Sequence, residues 1–98
     1  MPVFRVEKKK NFTVMSNHHL TNRHLSLKAK GLFSQMLSLP DIWNYSIRGL
    51  ASLNIEGVDA IRSAICELER EGYIKRIRER SGGRFTSVEY IIHEEPQE

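Results

Sequence analysis

The sequence predicts a mostly helical α+β fold, and three observations carry that prediction. Val58, Ile61, Ile65 and Leu68, with Ala64 beside them, recur in steps of three and four and end at Gly72, as one face of an α-helix does. Ala29, Leu32, Phe33, Met36 and Leu37 make a second such stripe, between Ser26 and Pro40. After Gly72, two β-rich runs flank Gly82-Gly83, the pattern of a β-hairpin.

A chain of 98 residues with 40% hydrophobic residues makes one domain with a small core. The net charge is +3 and unevenly placed: all 15 basic residues lie within residues 1–84, whereas Glu89, Glu94, Glu95 and Glu98 close the chain. A basic body suggests a polyanionic partner. The single cysteine, Cys66, excludes an internal disulfide. No apolar run approaches the roughly 20 residues of a membrane span, and the first ten residues lack the apolar middle of a signal peptide. A cytoplasmic protein is expected.

In chain order, Phe4-Arg-Val-Glu7 and Phe12-Thr-Val-Met15 alternate around Lys8-Lys-Lys-Asn11, which reads as an N-terminal β-arm or hairpin over residues 1–15. Residues 16–26 suggest a short helical turn and a loop. His18, His19 and His24 have no carboxylate or cysteine cluster around them, so they are expected at the surface and not on a metal. Ser26 caps a helix over residues 27–39, which Pro40 stops. Residues 41–45 connect to the next helix and include a candidate short strand, with Trp43 and Tyr45 packing on the first helix. Ser46 caps a short helix through Ile47, Leu50 and Ala51, and its N-terminus offers N–H groups to a phosphate. The helix of the 58–68 stripe is expected to be capped by Asn54, with Glu56 and Asp59 favoured by its dipole and Gly72 as its left-handed stop. Val88, Tyr90, Ile91 and Ile92 anchor the second strand of the hairpin. Residues 16–93 form the domain, and residues 94–98 are a frayed end or the start of a linker.

Helix, short strand, two helices joined by a tight turn, then a hairpin is the order of a winged helix-turn-helix: a three-helix core with a C-terminal hairpin wing. The basic residues fall where such a domain meets DNA. Lys75, Arg76, Arg78, Arg80 and Arg84 crowd the hairpin against Glu79. Strand alternation sets Arg76, Arg78 and Arg80 on one face, where their mutual repulsion calls for an anion. Arginine's planar fork suits phosphate. On the 58–70 helix, Arg62 is the candidate base contact, with Ser63 beside it and Asp59 three residues away to orient it. Arg48 completes the candidate set. Glu67, Glu69 and Glu71 are expected to point away from the groove.

Leu50-Ala51 and residues 58–74 resemble bacterial winged-helix DNA-binding domains. A wider resemblance rests on Phe4-Arg-Val-Glu7, Thr13-Val-Met-Ser-Asn17, Leu25-Ser-Leu-Lys-Ala-Lys-Gly31, Leu37-Ser-Leu-Pro40, Gly57-Val-Asp-Ala-Ile61 and Glu89-Tyr90. These are similar to the N-terminal domain of replication-initiator-like proteins of Gram-positive phages, plasmids and integrative elements, akin to the primosomal DnaD type. The resemblance implies a domain that binds DNA or assembles a replication complex, with a further C-terminal region. The chain departs from the general pattern where Leu53-Asn54-Ile55 replaces a turn glycine and Glu56-Gly57 replaces an entering Ser or Thr.

Two functional classes follow. One is a non-catalytic module for double-stranded DNA, serving replication initiation or transcription control. The other is a self-association module, a candidate homodimer held through apolar Phe4, Val6, Phe12 and Val14 or the first helix. An enzyme is not expected. Cys66 has no histidine close in sequence, and there is no phosphate-cradling glycine loop, metal set or paired carboxylate. No cofactor, membrane or small-molecule substrate is expected either.

Overall fold

The computed structural model describes residues 11–40, 46–81 and 84–96, with side chains for all of these except 78–81 and 84–89. Among the described residues it is a small α+β fold of four helices and one antiparallel two-stranded sheet: α1 (His18–Thr21), α2 (Leu27–Ser38), α3 (Ile47–Ser52), α4 (Val58–Arg70), β1 (Ile74–Ser81) and β2 (Arg84–Ile92). The expected short strand at 41–45, with Trp43 and Tyr45, and the arm at 1–10 lie outside the described residues, as do the hairpin's connecting residues 82–83.

The helix boundaries follow from capping chemistry. Ser26 accepts from the Ala29 N–H at 3.1 Å and starts α2. Its end falls at Leu39, held extended (ψ 152°) before Pro40, because the proline ring crowds a helical predecessor. Ser46 accepts from the Gly49 N–H at 2.9 Å and starts α3. The start of α4 differs from expectation: its N-cap is Gly57, with no side-chain bond, and Asn54 lies outside the helix. Asn54 instead donates to the Leu50 carbonyl at 2.9 Å and to Gln35 Oε1 at 2.7 Å. The last carbonyls of α3 need a donor, and the Asn54 amide serves them before it can serve the next helix. At the other end of α4, Gly72 takes φ 87°, and Tyr73 N–H and Gly72 N–H bond back to Leu68 and Glu69. This is a Schellman closure that glycine enters without strain.

The core lies where α2, α3 and β1 meet α4. Phe33, Met36, Leu50, Ile65, Leu68 and Tyr73 are fully buried, with Ala29 and Ala64 between them. Each large side chain contributes roughly 1.5–3 kcal/mol through burial. Leu37, Ile47, Tyr90 and Ile92 pack at the margin.

Two expectations are corrected here. Residues 12–15 form no strand among the described residues, with Phe12 (63%) and Val14 (84%) exposed; the run at 4–7 that would face them lies outside the described residues. The three histidines are not all at the surface. His19 is fully buried, edge-on to Phe33 and Tyr73, and its Nε2 lies 2.8 Å from Ser34 Oγ. That hydroxyl already donates to the Lys30 carbonyl, so it accepts from His19, and the imidazole is the neutral Nε2–H tautomer. His18 Nδ1 and the Tyr73 hydroxyl are hydrogen-bonded at 2.7 Å, and Asn22 donates to the same hydroxyl oxygen at 3.1 Å.

The hairpin pairs from Ile74↔Ile92 to Ser81↔Arg84, with an irregularity at Glu79/Arg80 where β2 carries one extra residue. Such a bulge sharpens the local twist. The chain returns to the body after β2. His93 N–H donates to the Tyr73 carbonyl at 2.8 Å, Glu94 accepts from the Ser16 N–H at 3.2 Å, and Pro96 lies against Gly72.

Candidate nucleic-acid interface

Helix α4 turns Ile61, Ala64, Ile65 and Leu68 inward. The opposite stripe, Asp59, Arg62, Ser63, Cys66 and Arg70, is exposed. Arg62 Nη1 lies 3.1 Å from Asp59 Oδ1, with side chains 56% and 100% exposed. The orienting contact expected between these two residues is therefore made, at the surface. Ser63 is exposed beside Arg62, between it and buried Ala64. Arg48 is exposed on α3, and Lys75 is exposed on β1.

The acidic residues of α4 have an arrangement that the sequence alone leaves open. Glu67 accepts from the Ser26 N–H and hydroxyl, each at 2.8 Å. These bonds, the backbone one foremost, hold its carboxyl below the usual carboxylate range. Glu69 pairs with Arg76 of β1. Glu71 accepts from Asn22 at 3.3 Å and lies 3.5 Å from Arg70. All three glutamates at the C-terminal end of α4 are thus occupied within the molecule, and three of their four partners, Ser26, Arg76 and Asn22, lie outside the helix. An acidic count of α4 overstates the negative charge that its exposed stripe shows to a polyanion.

Arg76 stands apart from the other predicted contacts. It shares its face of β1 with buried Ile74 and lies opposite Tyr90. Its side chain is 19% exposed and bonded to Glu69, itself 30% exposed. The Glu69 hydrogen bond raises the guanidinium pKa further above its usual range, against the opposing effect of burial. The anion that a basic strand face calls for is here a carboxylate of the same chain. Arg78, Arg80 and Arg84 lie on the hairpin strands, pairing with Val88, Phe85 and Ser81; their side chains fall outside the described set. The structure thus leaves Arg48, Arg62 and Lys75 open to solvent and holds Arg76 inward. Glu69 was missed from sequence because it and Arg76 are seven residues apart across a helix stop, a spacing that no periodicity links.

A cleft of about 220 Å³ opens between the start of α2 and the α3–α4 connection, with Lys28 and Glu56 as the ionisable groups among its lining residues. Among the described residues, no three His, Cys, Asp or Glu side chains are grouped to hold a metal ion. No described helix is long and apolar enough to cross a membrane. Comparison of the chain with protein-family models, with characterised proteins and with solved structures finds no match.

Proposed function

We propose that this chain is a winged-helix module for double-stranded DNA, with α3 and α4 as its helix-turn-helix, α4 as the reading helix and the β1–β2 hairpin as the wing. One observation carries the reading. Arg62 stands open on the outward stripe of α4, while Glu67, Glu69 and Glu71 are drawn to partners in the molecule. Phosphates approaching that stripe meet exposed Arg62 beside Asp59, and Arg70 beside Glu71, not a helix of free glutamates. Arg48 and Lys75 are exposed cations on the neighbouring elements, and Arg78, Arg80 and Arg84 add charge along the hairpin. Arg62, with Ser63, is the base-reading candidate. The resemblance to replication-initiator domains makes replication initiation the setting we propose, with transcription control on the same fold as the alternative.

Anisotropy titration of a labelled duplex at several salt concentrations tests the reading. Neutralising about five phosphates gives a slope of log K against log salt of about −4 to −5. No binding at about 50 mM salt, where such electrostatic contacts are strong, overturns it. A second reading, a homodimerising module, is favoured by the exposure of Phe12 and Val14. Sedimentation separates the two, because a tight dimer without duplex affinity is its signature.

A further inference from the structure

We propose that Arg76 and Glu69 form a strut that sets the hairpin's angle on α4, so that Arg76 positions the cations that meet DNA and does not touch DNA itself. The inference rests on the DNA-binding reading above. A two-stranded hairpin is marginally stable alone and takes its direction from what it packs on. Here the base of the hairpin is fixed by Ile74 in the core, by Tyr90 and Ile92 packed against it, by the bond from His93 to the Tyr73 carbonyl, and by the Arg76–Glu69 pair. Ile74 is the first residue of β1, and Tyr73 immediately precedes it. Among the described side chains, Arg76 makes the ion pair farthest along the ribbon, on the face that it shares with Ile74 and level with Tyr90, which packs on the core.

The two side chains are mostly buried, so solvent screens their attraction little, and a partner stranded by mutation would be left desolvated. Arg76 therefore has little free surface to offer a phosphate. Lys75, its neighbour on the exposed side of the strand, has that surface. The pair ties α4, which carries Arg62, to β1, which carries Lys75, Arg78 and Arg80. A duplex contacted by both elements reads their mutual angle as affinity, since contacts that miss their phosphates contribute nothing.

The sign of one mutation separates a strut from a phosphate contact. Glu69→Gln removes a negative charge, and on electrostatics alone it tightens binding to a polyanion and frees Arg76 to join in. A strut predicts the opposite, a loss of duplex affinity of about threefold or more. The charge-swapped pair Glu69→Arg with Arg76→Glu restores the tie in reverse and regains most of that loss, although position 76 then carries a carboxylate. Anisotropy titrations on the full chain, with thermal melts alongside, read both variants. If the wild-type chain binds and E69Q binds as tightly or more tightly, the strut is overturned and the DNA reading stands. Should E69Q fail to fold, the swap decides: swapped protein that folds but binds no better than R76E alone overturns the strut. A wild-type chain that binds no duplex takes both proposals down together.

Discussion

Glu67 of α4 holds both polar groups of Ser26, accepting its N–H and its hydroxyl at 2.8 Å each, while Ser26 itself accepts the Ala29 N–H that opens α2. The start of one helix is thereby tied to the flank of another 41 residues away. Replacing Ser26 by Ala removes the cap and one of the two bonds to Glu67, and it is expected to lower stability by about 1–2 kcal/mol. Denaturant melts measure this. The acid response follows with its sign. Bonding to Ser26 depresses the folded pKa of Glu67 below 4.5, so its contribution is complete above 4.5 and is lost as pH falls through the folded value. S26A is expected to lose stability less steeply than wild type over that range.

His19 predicts a second pH effect at milder acidity. Its Nε2–H is spent on Ser34, and its Nδ1 is buried with no hydrogen-bond partner among the described residues. Protonation would place an N–H at Nδ1, buried and without an acceptor. Burial accordingly lowers the pKa from 6.5, with His18 and Lys30 acting the same way and Glu94 opposing. The unfolded chain binds the proton more readily, so stability from this site is complete above about 6.5 and falls as pH drops toward the folded pKa. Melts from pH 7.5 to 5 are expected to show that decline in wild type and a flatter profile in His19→Leu. Parallel profiles would exclude His19 as its source.

What could be read from sequence was whatever local chemistry specifies. Ser26, Ser46, Pro40 and Gly72 bound α2, α3 and the end of α4 because capping and φ restriction act within a few residues. Asn54 misled because an N-cap and a C-terminal amide bond ask for the same residue type, and only the fold shows which backbone is nearer. His19 lies in a four-residue helix, too short for hydrophobic periodicity to reveal a buried face. For Arg76, alternation groups residues by face but cannot say which face meets α4. Its neighbour Ile74, buried on that face, was the available signal. The outward stripe of α4 was legible because its inward stripe was. The pairing of the glutamates was not, since Ser26, Asn22 and Arg76 reach them only through tertiary packing.

Two glycines are expected to respond to alanine with opposite signs. Gly72 has φ 87°, and a Cβ there would meet Pro96 Cβ at 3.0 Å. The left-handed conformation costs an L-residue about 1–2 kcal/mol, and the displacement of Pro96 adds to it. Gly31 lies inside α2, with nothing within 4 Å of an added Cβ. Alanine there is expected to stabilise by about 0.5–1 kcal/mol. Denaturant midpoints of G72A and G31A read both; a stabilised G72A would contradict the Schellman closure.

Asp59 and Arg62 give a prediction that stability and binding do not share. Both side chains are largely exposed at 3.1 Å separation, and an exposed pair contributes only about 0–1 kcal/mol. Asp59→Asn is thus expected to leave the melting curve nearly unchanged. On the DNA reading it removes the carboxylate on the stripe that phosphates approach and releases Arg62 from its tether. Affinity for any duplex rises by a few-fold, on the order of one charge contact. Discrimination between sequences falls, because Arg62 no longer has a fixed direction from which to reach a guanine edge. Arg62→Ala is expected to weaken binding and to flatten the same sequence preference. Competition titrations with a panel of duplexes measure the two effects separately. If D59N weakens binding to the preferred duplex, Asp59 is itself a contact, as a carboxylate accepting from a cytosine amine would be, and its assignment as a tether is wrong.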